Sequence, residues 1–175
     1  MQVDGIGAFA PRDARDAEVW HRIAGFVAAE PRAFSRDPRI GGHVTGSAFI
    51  LSPDGTSALL THHRKLDMWI QLGGHCDGIA DARFVALKEA YEESGLARLR
   101  LVSDAVFDVD IHEIPANPKD PAHLHYDVRF LMRAEAGKIA VSQESNDLAW
   151  VPLTRIEDFS REPSLLRMRD RVLAG

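Results

Sequence analysis

Residues 73–96 read Gly-Gly-His-Cys-Asp-Gly-Ile-Ala-Asp-Ala-Arg-Phe-Val-Ala-Leu-Lys-Glu-Ala-Tyr-Glu-Glu-Ser-Gly-Leu, a glycine turn ahead of a helix carrying Glu89, Glu92 and Glu93 at i, i+3 and i+4. That spacing projects all three carboxylates from one helix face. Two carboxylates about 6 Å apart repel by roughly 3 kcal/mol at an effective dielectric near 20. Lys88, four residues before Glu92, is the obvious local partner. A hard divalent cation, held by carboxylates together with substrate phosphate oxygens, would neutralise such a cluster. The plainer reading is a surface helix with an acidic stripe. Against it, Phe84, Leu87 and Tyr91 form an apolar stripe nearly opposite the glutamates, while Ala82, Val85 and Leu96 lie on or beside the glutamate face. The glycines ahead of the helix weigh the same way.

These residues resemble the signature of the Nudix hydrolase family: Gly, five residues, Glu, seven residues, Arg-Glu, an aliphatic residue, any residue, Glu-Glu, any residue, Gly, aliphatic. Gly74, Glu89, Ala90, Glu92-Glu93, Gly95 and Leu96 stand at the matching positions. Trp69 and Gly73 also resemble the family's approach to this box, although Gln71 and Leu72 replace its more common residues. Two departures fall inside the signature, Ala80 for the first glutamate and Lys88 for the arginine. In the family those two side chains belong to one polar network that orients the metal ligands, so their joint replacement reads as loss of a pair. Asp77 and Asp81 are near enough in sequence to compensate, and Asp81 is also placed to cap the helix.

Composition fits one compact domain. A chain of 175 residues, 45% hydrophobic, can bury roughly 70% of its unfolded surface without disulfides or a structural metal. Its single cysteine, Cys76, excludes an internal disulfide and suits a reducing compartment. The net charge of −5 without a basic block argues against nucleic-acid binding. The start, Met-Gln-Val-Asp-Gly-Ile-Gly, lacks a charged segment followed by an apolar one, and no apolar run approaches membrane length. A cytoplasmic protein without a membrane partner is the expectation.

Residues 15–29 read as an amphipathic helix with Val19, Trp20, Ile23, Phe26 and Val27 on one face. A polar connection over 32–42 leads into strands at 43–51 and 57–63, turned by Pro53-Asp54-Gly55. Further strands are expected at 98–102, 105–113, 123–133 and 149–151, and a last helix at 163–173. This order predicts an α/β fold with a mixed sheet. It agrees with the α/β/α sandwich that the resemblance implies over roughly residues 43–155. Residues 1–42 are expected to form a helical extension packed on a domain of residues 43–175, which ends in a helix.

Seven of the eight histidines lie between His43 and His125. Strand alternation puts His123, His125, Asp127 and Arg129 on one face, and Asp108, Asp110 and His112 on one face of the preceding strand. If the two strands pair across the loop 114–122, these groups share a surface. The plain reading is the solvated face of a half-buried sheet, but such faces favour Lys, Thr and Glu over histidine. His75, His123, His125 and Asp127 are therefore expected to contact substrate. Ligation of a softer metal such as Zn, Mn or Fe is the other role open to this surface. Cys76 alone reads as packing.

The resemblance implies hydrolysis of a phosphoanhydride bond in a nucleoside diphosphate linked to another moiety. Glu89, Glu92, Glu93 and the Gly73 carbonyl would hold Mg2+ or Mn2+, with one of the glutamates acting as general base. Glu144 resembles the downstream loop glutamate that many members add to the site. The partner is then a small phosphorylated substrate, and the resemblance also implies a homodimer. Two other readings stay open. One is an enzyme like isopentenyl diphosphate isomerase, whose His-rich metal site His43, His75, Cys76, His125 and Asp127 loosely resemble. The other is a non-catalytic domain that binds a nucleotide or sugar phosphate.

Overall fold

The computed structural model describes every residue except Met1, Lys65, Lys119, Gly137 and residues 141–144, together with the side chain of Ser145. In chain order the elements are β1 (Gln2–Val3), β2 (Gly7–Ala8), α1 (Ala14–Ala29), β3 (Gly42–Leu51), β4 (Ser57–His63), β5 (Met68–Ile70), β6 (Leu72–His75), α2 (Ala82–Ser94), β7 (Arg98–Leu101), β8 (Asp108–Ile114), β9 (His123–Ala136), β10 (Ser145–Pro152), α3 (Ile156–Phe159) and α4 (Pro163–Ala174). The fold is α/β, a mixed sheet with helices, as the order of elements predicts. No helix among the described residues is long and apolar enough to cross a membrane.

The chain forms two compact units. The first comprises Met1–Ser47, Gly73–Ala86 and Ser103–Phe130. Within it the strands run in the order β8, β9, β3, β6, with β1 and β2 as a separate hairpin. Helix α1 starts where Asp13 accepts a hydrogen bond from the Asp16 N–H at 2.8 Å, and Asp16 in turn accepts from the Arg12 N–H at 3.2 Å. The first bond satisfies a backbone donor that the helix leaves without an internal partner, and the second ties down the residue ahead of the cap. The helix buries Trp20 and Ile23, and Phe26 stacks on Tyr126 with ring centroids 4.1 Å apart. Ile6, Phe9, Val44, Val109, Val128 and Phe130 complete this apolar interior.

The first turns of α2 belong to the same unit. Asp81 caps them, its carboxylate accepting from the Phe84 N–H at 3.0 Å. The stripe of large apolar residues is not the buried face: Phe84 is 53% exposed and Tyr91, further along the helix, 37%, whereas Ala82, Val85, Ala86 and Ala90 are buried. The physical reason is a close approach of backbones. A Cβ at Gly46 would lie 2.4 Å from the Ala82 carbonyl oxygen and 3.0 Å from the Ala86 nitrogen. Only small residues fit on the helix face that meets β3 there.

The second unit comprises Ala48–Leu72, Leu87–Val102 and Leu131–Gly175. Its strands run β7, β9, β3, β4, β10, and β5 pairs with the far end of β4. The β4–β10 ladder runs antiparallel from Ser57–Pro152 to His63–Ser145, with a shift between Ser145 and Asp147. Phe49, Ile50, Leu59, Leu60, Met132, Val151, Ile156, Leu165 and Met168 form its core. Each large apolar side chain so buried contributes about 1.5–3 kcal/mol. Tyr91 stays outside this core and is anchored by its hydroxyl, which donates to the Leu99 carbonyl at 3.3 Å and accepts from the Leu99 N–H at 3.1 Å.

Candidate functional site

The carboxylates sit as the helical spacing requires, on the part of α2 in the second unit. Glu93 is only 8% exposed, the Glu89 side chain is largely covered, and the Glu92 side chain is open to solvent. Burial therefore grades across the cluster. Lys88 Nζ lies 2.9 Å from Glu89 Oε1 and 2.9 Å from Glu92 Oε2. Hydrogen bonds from the ammonium to Glu92 and then to Glu89 raise the Lys88 pKa, so this lysine stays charged. One cation thus bridges two of the three carboxylates and offsets part of their repulsion. Three carboxylates on one face are hard oxygen donors of the kind Mg2+ and Mn2+ accept.

The imidazoles gather in the first unit. Strand β8 pairs antiparallel with β9, matching His112 with His125, Asp110 with Asp127 and Asp108 with Arg129. His43 at the start of β3 and His75 at the end of β6 join the same cluster. Ring centroids of His43 lie 4.8 Å from His125, 5.0 Å from His123 and 5.1 Å from His75. Those of His125 lie 5.1 Å from His75 and 5.3 Å from both His112 and His123. Nitrogens of His43, His123 and His125 all come within 4.8 Å of one another. Burial, and then the neighbouring His75 and His123, lower the His43 pKa to about 4. The His125 pKa is lowered too, first by burial and then by His43, His75 and the other rings. Near neutral pH both rings are uncharged, the state in which imidazole binds metals.

Beneath the rings lies an ion cluster. Arg129 is 2% exposed; its Nε donates to Asp127 Oδ2 at 2.6 Å and one guanidinium nitrogen to Asp108 Oδ2 at 3.1 Å, with Asp110 3.7 Å away. Burial opposes the Arg129 charge, but Asp127, Asp108 and Asp110 outweigh it and raise its pKa. Asp127 Oδ1 accepts from Thr45 Oγ1 and Ser47 Oγ, each at 2.8 Å. Arg15 from α1 donates to Asp110 and to the Val109 carbonyl. The polar face expected of these strands is real, but around Asp108, Asp127 and Arg129 it is interior rather than solvated.

Glu89, Glu92 and Glu93 share one helix face. His75, His123, His125 and Asp127 come together, with Asp127 engaged by Thr45, Ser47 and Arg129 below the rings. Gly73 lies in β6, where a Cβ would fall 2.3 Å from Ser47 Oγ. Glu144 falls outside the described residues. Cys76 is buried. Thr45 and Ser47 are not expected at the site from sequence, and His43 is expected there only under the isomerase-like reading. Their signal is the alternation His43-Val-Thr45-Gly-Ser47, which sends three polar side chains to one face of an otherwise buried strand.

No protein-family model and no curated protein sequence matches the chain. Solved structures do. A Nudix-family hydrolase from Clostridium perfringens is similar with a TM-score of 0.54 and 21% identity, over 75% of this chain and 97% of that one. The dihydroneopterin triphosphate pyrophosphohydrolase of E. coli is similar with a TM-score of 0.59 and 15% identity, over 81% and 99%. The Nudix domain of Shewanella oneidensis NrtR, solved with ADP ribose, is similar with a TM-score of 0.55 and 15% identity, over 86% and 96%. The chain has the fold of the Nudix hydrolases.

Proposed function

We propose that the protein is a Nudix-type hydrolase that cleaves a phosphoanhydride bond in a nucleoside diphosphate linked to another moiety. The observation that carries this reading is the graded carboxylate face of α2, with Glu93 buried, Glu89 largely covered and Glu92 open, on a chain with this fold. Glu89, Glu92 and Glu93 would hold Mg2+ or Mn2+, which would polarise phosphoryl oxygens and lower the pKa of a water. One glutamate takes the proton as that water attacks phosphorus and the anhydride P–O bond breaks, releasing two phosphorylated products. A diphosphate-linked substrate is supported by the ADP ribose of the Shewanella domain and by the triphosphate named for the E. coli enzyme.

A second reading is a domain that binds such a compound without cleaving it. It is favoured by Lys88, whose ammonium bridges Glu89 and Glu92, and by Ala80, where the family signature has a glutamate. A panel of nucleoside di- and triphosphates, dinucleotide polyphosphates and nucleotide sugars, each with Mg2+ and with Mn2+, separates the two. Release of phosphate or nucleoside monophosphate, abolished by Glu92→Gln or Glu93→Gln, is the expected result. Turnover unaltered in both variants would overturn the carboxylate assignment, and saturable binding without turnover would establish the second reading.

A further inference from the structure

We infer that His43, His123 and His125 form a nitrogen-ligand site for one Zn2+ ion, separate in chemistry from the carboxylates of α2. The geometry points there first: one nitrogen from each ring lies within 4.8 Å of the other two, a spacing that one tetrahedral ion with Zn–N bonds of about 2.0–2.1 Å spans after small ring movements.

A second observation is independent of that spacing. His43 is 4% exposed, and among the described residues its Nε2 and that of His125 are buried without a hydrogen-bond partner. Buried polar atoms are nearly always satisfied, and leaving one unmade costs about 1–3 kcal/mol. The two rings that carry these atoms come from β3 and β9 and belong to the same close trio, which points to a missing common partner. A water would have to satisfy both from one position, whereas an electrophilic ion satisfies both and the third ring together.

The third ring is already oriented for the role. His123 Nδ1 lies 2.8 Å from the Pro121 carbonyl oxygen; a carbonyl only accepts, so Nδ1 carries the hydrogen and Nε2 holds the lone pair. Metal-binding histidines are commonly fixed in this way by a hydrogen bond from the other ring nitrogen. The donor set also selects the ion. Three imidazoles suit Zn2+ or a neighbouring transition metal and are poor ligands for Mg2+. Asp127, two residues from His125 on the same strand, is engaged by Thr45, Ser47 and Arg129 and is not counted among the ligands. Three nitrogens would leave a fourth position for a water or an anionic oxygen; His75 stands beside the trio, with ring centroids 5.1 Å from both His43 and His125. This assignment moves His123 and His125 from direct substrate contact to metal ligation. It does not depend on the phosphoanhydride reading.

The test uses the full chain, stripped with a chelator and titrated with Zn2+ and, as a spectroscopic probe, Co2+. Expected are one ion per chain, a Co2+ visible spectrum of tetrahedral intensity, and X-ray absorption showing a first shell of imidazole nitrogens. His123→Ala should weaken Zn2+ binding by more than the roughly 10–100-fold that loss of outer-shell partners costs, with the far-UV spectrum of the metal-free protein unchanged. Glu92→Gln should leave Zn2+ binding as it is. Failure of the wild-type chain to bind Zn2+, an oxygen-rich first shell, or Zn2+ binding that survives His123→Ala would overturn the site. So would Zn2+ binding lost in Glu92→Gln, because the ion would then belong to the carboxylates. If His123→Ala does not fold, the wild-type ligand shell decides alone.

Discussion

Replacing Arg129 by methionine would leave the buried carboxylates of Asp108 and Asp127 without their shared cation. The guanidinium is 2% exposed and reaches Asp127 at 2.6 Å, Asp108 at 3.1 Å and Asp110 at 3.7 Å. Arg15 remains for Asp110, and Thr45 and Ser47 remain for Asp127 Oδ1. Removing one partner from a buried ion cluster costs about 3–5 kcal/mol, because a desolvated charge is left behind. A domain of this kind has about 5–15 kcal/mol in total. At about 2–4 °C per kcal/mol for a chain of this size, the midpoint of thermal unfolding should fall by about 6–20 °C. Circular dichroism during heating and urea titration measures both quantities. The double variant Arg129→Met with Asp108→Leu should be less destabilised than the two single losses summed, with a coupling of about 0.5–3 kcal/mol. A loss below about 1 kcal/mol for Arg129→Met, or strict additivity in the double variant, would show that the cluster is solvated in solution and would refute the reasoning.

Three further outcomes are expected. Gly46→Ala places a Cβ 2.4 Å from the Ala82 carbonyl oxygen, so urea unfolding should show a loss of about 1–3 kcal/mol from overpacking; a neutral result would mean that α2 shifts freely. In chelator-treated protein, burial holds the His43 pKa at about 4 against an ordinary 6.5, so the unfolded chain takes up a proton that the native state refuses. Stability from this source is intact above pH 6.5 and falls as pH drops toward 4, and His125 adds in the same direction; equal urea midpoints at pH 7.5 and pH 5 would contradict it. Glu92→Gln, which removes one exposed ion pair with Lys88 and one charge from the acidic face, should change the thermal midpoint by no more than the equivalent of about 1 kcal/mol, while abolishing metal-dependent turnover.

Much of this was legible in the chain, and the failures share a cause. Strand β4 falls at 57–63 as its alternation and the Pro53-Asp54-Gly55 turn predict, and β3, α1 and α4 fall within one residue of expectation. Strand β8 begins at Asp108 rather than 105 because the Val106 N–H bonds the Ala8 carbonyl near the N-terminal hairpin. That hairpin has two-residue strands, too short to leave a periodic pattern. The buried face of α2 is not legible in the sequence, because Phe84 and Tyr91 carry more apolar area than Ala82, Ala86 and Ala90. Side-chain size marks a core face only where backbones stay apart, and Gly46 brings them together. The alternation on β8 and β9 puts His112, His123 and His125 on a shared surface if the strands pair, and they do pair, since pairing within a hairpin is local. His43 arrives from β3, 80 residues before His123, and no local pattern encodes that meeting. Nor does alternation distinguish a wet polar face from a buried one. Arg129 is interior because three acidic side chains converge on it, which depends on the pairing itself.

The cluster around Arg129 also acts as an alignment key. Asp108 stands opposite Arg129 and Asp110 opposite Asp127 across β8 and β9. Sliding β9 by one residue would turn Arg129 toward the face occupied by Val128 and Phe130, and sliding β8 by one would turn Asp108 and Asp110 away from it; either slip strands a charge among apolar groups. The mis-threaded hairpin is therefore penalised far more heavily than a strand of apolar and hydroxyl residues would be. Because the match is set by side chains along the strands, the turn over 115–122 is freed from specifying it. Residues can be added to that turn or removed from it without changing which histidine faces which.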